Sequence, residues 1–264
     1  MIDLKGHAAL VTGSSKGVGK AIAEAFAQAG ADVMVHGRER NKEARETISQ
    51  CKSFGVKCDF VAADLTGPVE ETVESVFAKA LELMPEIDIL VNNAGQFFDV
   101  AFEEMTLERF EKTLRLNVTS GYFLTQRFAK HWIANNIAGR VLFIGSINGR
   151  LAEPGSTAYD TSKGAVEMMV RTLAVALAPK NVRVNGLAPG LVRTPQTAWI
   201  DTRPTQAEWV AYHTPNGQIP CADVCGPGAV YLCSDAAAHV HGQMLLIDGG
   251  MSAWQQPATP KDKD

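Results

Sequence analysis

Tyr159 and Lys163 stand four residues apart in a stretch patterned as the start of a helix, so both project from one face with Cβ atoms about 6 Å apart. Such a pair can perform acid–base chemistry. A phenol ionises near pH 10, and an ammonium beside it favours the anion. At about 5 Å and an effective dielectric of about 20 the attraction is roughly 3 kcal/mol, about two pKa units. That shift would bring the phenol toward the working range of a general acid or base. A YxxxK pair alone is common on solvated helices. Here it follows Ser146, a serine at the end of an apolar run, whose hydroxyl could hold an oxygen atom beside the phenol.

A second group lies near the start, where Thr12-Gly13-Ser14-Ser15-Lys16-Gly17-Val18-Gly19 joins an apolar run to a helical pattern. Glycines let the backbone approach a pyrophosphate closely, and a helix N-terminus offers unpaired N–H groups and partial positive charge. The phosphate loop of NTPases needs four residues between its glycines, then Lys-Ser or Lys-Thr. In this chain five residues separate Gly13 from Gly19 and Ala21 follows Lys20, so that loop is excluded.

These groups need a scaffold, and the hydrophobic pattern supplies one. Short β-branched runs (His7–Val11, Asp32–Val35, Lys57–Ala62, Ile87–Val91, Arg140–Ile144, Val182–Leu187, Met244–Ile247) alternate with helical patterns. The helices are expected at Gly17–Ala29, Asn41–Phe54, Pro68–Met84, Leu107–Leu116, Gly121–Asn135, Thr157–Ala178 and Ala222–Leu232. This βαβ rhythm predicts one α/β domain over 1–253, a doubly wound Rossmann fold with a parallel seven-stranded sheet and helices on both faces. The stretch 195–220 is long for a plain connection and is expected to form a substrate-covering lid, with irregular surface packing as the alternative. The tail, 254–264, is expected to be disordered.

Composition narrows the function classes. A formal charge of −4 over 264 residues provides no field for nucleic acid or an anionic membrane. The first ten residues carry neither a basic leader nor an unbroken apolar stretch, and no run reaches the length of a membrane span, which predicts a cytoplasmic protein. Five cysteines without CxxC pairs are expected to be free thiols. His239 and His241, two residues apart in a strand-like run, read as strand-edge positions, so no metal site is expected.

The order of the motifs is informative. TGxxxGxG at Thr12–Gly19 is followed by Asp64-Leu65, by Asn92-Asn93-Ala94-Gly95, by Ser146, by Tyr159-Asp160-Thr161-Ser162-Lys163, and by Pro189-Gly190 with Thr194. With these residues the chain resembles the short-chain dehydrogenase/reductase family from Leu4 to about Gly250. The resemblance implies a nicotinamide dinucleotide on Gly13, Ser15, Lys16, Gly17, Val18 and Gly19, with adenine near Asp64 and Leu65. Asn92, Ala94 and Gly95 would line the cleft, and Pro189, Gly190, Val192 and Thr194 the nicotinamide end. It also implies that Tyr159 donates the proton to the substrate oxygen in reduction, that Lys163 holds the nicotinamide ribose and lowers the tyrosine pKa, and that Ser146 orients the carbonyl. Asn117 matches the position that holds a water in a proton relay; its other reading is a helix-breaking Asn between two helices.

The choice of dinucleotide rests on the end of the second strand, where a carboxylate would bind the ribose 2′-OH and repel a 2′-phosphate. The residues there are His36-Gly37-Arg38. Arg38, with Lys16, could meet a 2′-phosphate, which favours NADP(H) over NAD(H).

Candidate substrate contacts are Gln96, Phe97, Phe98, Ile147 to Arg150, Leu191, Val192, Trp199, Trp209 and Tyr212, with Arg150, Gln96 and His213 as polar recognisers. A small-molecule carbonyl or alcohol is expected: a ketoacyl thioester, a sugar or polyol, or another ketone. The thioester reading would want basic residues for an acidic carrier protein, and Arg127, Lys130 and Arg171 are the candidates. A non-catalytic NADP(H) sensor is the alternative from another class, disfavoured by the complete Ser146, Tyr159, Lys163 set. Relatives of this kind usually form tetramers, and the nearly all-apolar helix after Ala165 agrees with burial in a homotetramer or dimer.

Overall fold

The computed structural model describes residues 2–254. The apolar runs form β1 (Ala8–Val11), β2 (Asp32–Gly37), β3 (Cys58–Ala62), β4 (Ile89–Asn92), β5 (Gly139–Ile144), β6 (Val182–Pro189) and β7 (Met244–Ile247). All neighbouring pairs are parallel, in the order β3-β2-β1-β4-β5-β6-β7. Between them run α1 (Gly17–Gln28), α2 (Lys42–Ser53), α3 (Val69–Leu83), α4 (Leu107–Leu114), α5 (Ser120–Ala134), α6 (Thr157–Leu177), α7 (Pro204–Tyr212) and α8 (Cys225–Cys233). The fold is therefore the doubly wound Rossmann domain expected from the pattern.

Strand alternation divides the core into two layers. Ala9, Val11, Val33 and Val35 face Ile22 and Phe26 of α1, Ile48 of α2 and Ala229 of α8. Leu10, Met34 and Leu90 face Val76 of α3, Leu124 and Phe128 of α5 and Val170 of α6. Local chemistry sets helix starts: the Asn41 side chain accepts from Ala44 N at 3.0 Å, and Thr106 accepts from Arg109 N at 3.3 Å.

At the N-terminal ends of the strands, Arg140 of β5 donates to the Cys233 carbonyl at 2.8 Å and to Asp235 at 2.7 Å. It also meets His7 Nε2 at 2.9 Å, and His7 Nδ1 lies 2.6 Å from Asp88. That arrangement ties β1, β4 and β5 to the end of α8, away from the loops that carry the motifs. Every motif follows a strand's carboxyl end instead, around the switch point between β1 and β4 where such sheets bind ligands.

Two expectations are corrected, on the helix end at Leu116 and on His239 and His241. The helix expected to reach Leu116 ends at Leu114 and passes through a π-helical turn, Arg115–Thr119, into α5. The stretch expected to form a lid, 195–220, contains a 3-10 segment, Pro195–Asp201, and α7. His239 and His241 lie in the connection before β7 and not in a strand. The five cysteines are free thiols, and no helix among the described residues is long and apolar enough to cross a membrane. The tail expected to be disordered falls, from Gln255 on, outside the described residues.

Candidate active site

The glycine loop is held from two sides. On one, Thr12 Oγ1 donates to the Val91 carbonyl (3.1 Å) and accepts from the N–H groups of Asn93 (2.9 Å) and Ala94 (3.0 Å). Asn93 Nδ2 returns bonds to the carbonyls of Thr12 (2.8 Å) and Gly13 (3.1 Å). On the other side Ser14 Oγ accepts from His36 N (3.0 Å), and Gly13 N donates to His36 Nδ1 (3.1 Å). Gly13 has φ +62°, and a Cβ there would fall 2.9 Å from Ala94 Cα; only glycine meets both conditions. No side chain caps α1, so its first N–H groups stay free for a ligand.

At the tip of β2 a Cβ on Gly37 would collide with Ser15 Oγ. Arg38 and Lys16 are exposed beside this point. Asp64 Oδ1 accepts from Thr66 N (2.9 Å) and Thr66 Oγ1 (2.8 Å). Those bonds, the backbone one first, and the charge of Arg38 hold its carboxyl below the usual range. Leu65 is buried next to it. His36 is buried too, and burial pushes its imidazole down to about 4, so it stays neutral.

Two residues beyond β5 stands Ser146, whose Oγ accepts from Asn148 N at 3.1 Å. Asn148 Nδ2 in turn donates to Asp160 Oδ1 at 2.8 Å, fixing this turn to the first turn of α6. From that helix Tyr159 brings its hydroxyl near enough to Ser146 for the serine to lower the phenol's pKa, and Phe97 packs on its ring edge-to-face at 5.5 Å. Lys163 Nζ donates to the Ile144 carbonyl at 2.8 Å and lies 5.5 Å from the Tyr159 ring centre. The helical spacing thus brings Ser146, Tyr159 and Lys163 together.

Their electrostatics differ from the simple pair. Burial is the largest influence on Tyr159 and pushes the phenol up to about 12, with the Ser146 hydrogen bond opposing it. Burial pulls Lys163 down to about 8. The expected two-unit lowering of the tyrosine by the ammonium does not occur in the chain alone, because removal of water penalises both charged forms.

Asn117 sits in the π-turn with its side chain engaged on every side. Its Oδ1 accepts from Gln96 N (2.8 Å), and its Nδ2 donates to the Gln96 carbonyl (2.9 Å) and to Ser162 Oγ (2.9 Å). It clamps the loop after β4 to α6, and its carboxamide has no proton left for a water. It is a π-turn residue continuous with both helices, not a helix breaker. A cavity of about 10 Å³, close to the room one water needs, lies nearby, lined by Thr12, Asn92, Asn117 and Lys163 among others. Asn92 Nδ2 donates to Thr125 Oγ1 at 2.9 Å, and its Oδ1 has no partner.

Across the cleft, Gly190 follows Pro189 at the end of β6, Val192 is buried, and Thr194 caps the 3-10 segment. A Cβ on Gly17 would lie 3.6 Å from the Thr194 side chain, so the β6 exit faces the glycine loop. Gly95 is exposed and Ala94 partly buried.

Among the substrate candidates, Arg150 is not free for a ligand: its Nε donates to Glu167 at 2.9 Å. His213 bonds the Trp209 carbonyl at 2.7 Å and stacks on the Trp209 ring at 3.8 Å. Trp209 remains 58% exposed.

This geometry has parallels. A family model described as enoyl-(acyl carrier protein) reductase matches residues 13–252. Glucose 1-dehydrogenase 2 of Bacillus subtilis is 35% identical over 96% of this chain and 97% of its own length. The chain belongs to the short-chain dehydrogenase/reductase family. Another short-chain dehydrogenase/reductase, the 3-oxoacyl-[acyl-carrier-protein] reductase FabG of Aquifex aeolicus, is 35% identical over 95% of this chain and 99% of its own. A solved gluconate 5-dehydrogenase from Burkholderia cenocepacia, in complex with NADP and tartrate, superposes with a TM-score of 0.89 at 28% identity, covering 96% of this chain and 98% of that one. As a short-chain dehydrogenase/reductase the protein is an oxidoreductase of carbonyl and alcohol carbons.

Sequence reasoning overlooked the groups that hold this family's site rigid here. Thr12 and Asn93 lay inside quoted motifs, and their polarity next to glycine was the available signal. Asn148 and Asp160 were also named, but their bond to each other gave no signal, because a twelve-residue separation has no local periodicity.

Proposed function

We propose that the protein is an NADP(H)-dependent reductase or dehydrogenase that interconverts a carbonyl and a secondary alcohol, with Tyr159 as acid and base. The observation that carries this reading is the Tyr159 hydroxyl within reach of Ser146, with Lys163 fixed behind it on Ile144. The cradle around Gly13 and the uncapped start of α1 fit a pyrophosphate, and the bound nicotinamide would supply or accept the hydride.

The chain's own groups then have distinct tasks. Ser15, Lys16, Gly17, Val18 and Gly19 hold the phosphates, and Asp64 with Leu65 borders the adenine. Asn92, Ala94 and Gly95 line the cleft, while Pro189, Gly190, Val192 and Thr194 border the nicotinamide end. Ser146 donates to the substrate oxygen and Tyr159 passes it a proton in reduction. Lys163 holds the ribose and favours the phenolate once the nicotinamide is positively charged. Asn117 supports the relay by fixing the loop at Gln96 and the helix at Ser162.

Arg38 with Lys16 selects the 2′-phosphate. Arg38→Asp should reverse the preference toward NAD(H), changing the ratio of the two Kd values by about a hundredfold. Parallel NADPH and NADH titrations check this, and an unchanged ratio removes the assignment.

For the substrate, the surroundings favour a sugar or aldonic acid over a carrier-bound thioester. Gln96, in the loop after β4, keeps a side-chain Nε2 without a partner that could donate to a substrate hydroxyl, whereas Asn148 and Asp160 are bonded to each other. Two of the three cations that would meet an acidic carrier are paired internally, Arg127 with Glu74 at 2.7 Å and Arg171 with Glu167 at 2.6 Å, and Lys130 donates to the Gln126 side chain at 3.3 Å. Glucose and gluconate also appear in the names of two relatives. Purified protein with NADPH or NADP⁺, followed at 340 nm over sugars, aldonates, ketoacyl thioesters and simple ketones, tests the reading. Turnover confined to ketoacyl thioesters overturns the substrate class. Tight binding without turnover on any class replaces the enzyme with a sensor.

The exposed apolar side chains of α5 and α6, among them Tyr122, Phe123, Met168 and Val175, support self-association as a homotetramer, with a dimer as the smaller form. Light scattering should give the mass of four chains, or of two; a monomer at tens of micromolar contradicts it.

A further inference from the structure

We infer that His36, held as its Nε2–H tautomer, is the positioning residue that sets the glycine loop for the dinucleotide, and that it acts equally on both nicotinamide dinucleotides. The inference rests on the cofactor reading above and goes beyond it to a residue outside the family motifs.

Hydrogen bonding fixes the tautomer. Gly13 N donates to His36 Nδ1 at 3.1 Å. A backbone N–H can only donate, so Nδ1 must be unprotonated, and the neutral ring carries its proton on Nε2. His36 is 3% exposed, and its Nε2 is buried with no partner. An enclosed donor without an acceptor is costly, and an apolar side chain would avoid that cost. What the imidazole provides in exchange is an acceptor for an N–H that has turned away from the regular strand pattern.

Three bonds join the loop to β2 at this point. Beside the Gly13 bond, Ser14 N donates to the His36 carbonyl at 2.9 Å and His36 N donates to Ser14 Oγ at 3.0 Å. Two of these use only the His36 backbone, which any residue provides. The third depends on the ring, and it is the bond that satisfies Gly13, whose left-handed φ of +62° turns the chain out of β1 and toward α1. Without that acceptor the enclosed Gly13 N–H has to find another partner by rotating its peptide, and the N–H groups of Ser15 to Gly19 lose their shared aim. On the cofactor reading the loop would face the part of the ligand that NADP(H) and NAD(H) have in common, and Arg38 the part that differs.

Two substitutions separate this role from packing. The amide oxygen of asparagine can occupy the place of Nδ1, so His36→Asn retains an acceptor for Gly13; His36→Leu fills similar space with none. Fluorescence titration should give NADPH and NADH Kd values for His36→Asn within about threefold of wild type, and both weakened about tenfold or more in His36→Leu. Melting curves of the three proteins without cofactor accompany the titrations. Equal Kd values in the two variants overturn the inference, as does a loss in His36→Leu for NADPH alone. Failure of wild-type protein to bind either dinucleotide overturns the cofactor reading itself and this assignment with it. If His36→Leu fails to fold, His36→Gln, whose amide reaches past the Nδ1 position, supplies the variant without an acceptor for Gly13.

Discussion

Tyr159→Phe should lower kcat by about three to four orders of magnitude while NADPH binds within a few-fold of wild type. The substitution removes one oxygen atom and nothing else from a ring that Phe97 packs at 5.5 Å, so the cleft keeps its shape. What is lost is the proton that must reach the substrate oxygen, and neither neighbour can replace it. The Ser146 hydroxyl is a far weaker acid than an activated phenol, and Lys163 is turned to the Ile144 carbonyl. Steady-state kinetics at saturating cofactor, paired with fluorescence titration, make the comparison. More than a tenth of wild-type kcat would remove Tyr159 from the chemistry.

Lys163→Met should abolish turnover and at the same time raise stability at pH 7. A lysine in the unfolded chain ionises near 10.4, whereas burial holds Lys163 at about 8, so at neutral pH folding must enclose a charge that prefers water. The difference corresponds to roughly 3 kcal/mol, and loss of the bond to Ile144 returns part of it, leaving a gain of about 1–2 kcal/mol for methionine. The sign with pH follows from proton counts. Between about pH 8 and pH 10.5 the unfolded chain binds more protons at this group than the folded one, so this group's contribution to wild-type stability rises with pH and the advantage of the variant shrinks. Urea midpoints at pH 7 and pH 9.5 measure it; a variant less stable than wild type at pH 7, or an advantage that grows with pH, contradicts the account.

Both expectations expose a trade between stability and function at one helix turn. The low Lys163 and high Tyr159 values describe the chain by itself. On the proposed reading, a positively charged nicotinamide brought against them would favour the phenolate and ready the pair for acid–base work.

Much of this was legible in the residues because the relevant forces are local. Strands and helices of a parallel sheet announce themselves by period and by β-branched runs, which is why β7 runs from Met244 to Ile247 as expected and α6 ends within one residue of its expected end. Tyr159 and Lys163 were readable because four residues is a helix turn. The rest depends on pairings that have no spacing rule. Arg140 meets His7 from the far side of the chain, Asn117 clamps Gln96 through a π-turn that no propensity specifies, and Arg150, exposed by its motif position, is taken by Glu167 on α6. The Tyr159 value went the other way from expectation for the same reason: the pair was visible in the sequence, but the depth of its burial was not.

The segment from Asp201 to His213 contributes no buried side chain, although Ile200 before it and Thr214 after it are both buried. It is anchored at its two ends and only partly covered between them, at Ala207, Val210, Ala211 and His213. The residues there can therefore drift, lengthen or be exchanged between relatives with little effect on whether the sheet folds. Selection for a new substrate and selection for a sound fold act on different stretches of this chain, which leaves the first free to proceed quickly.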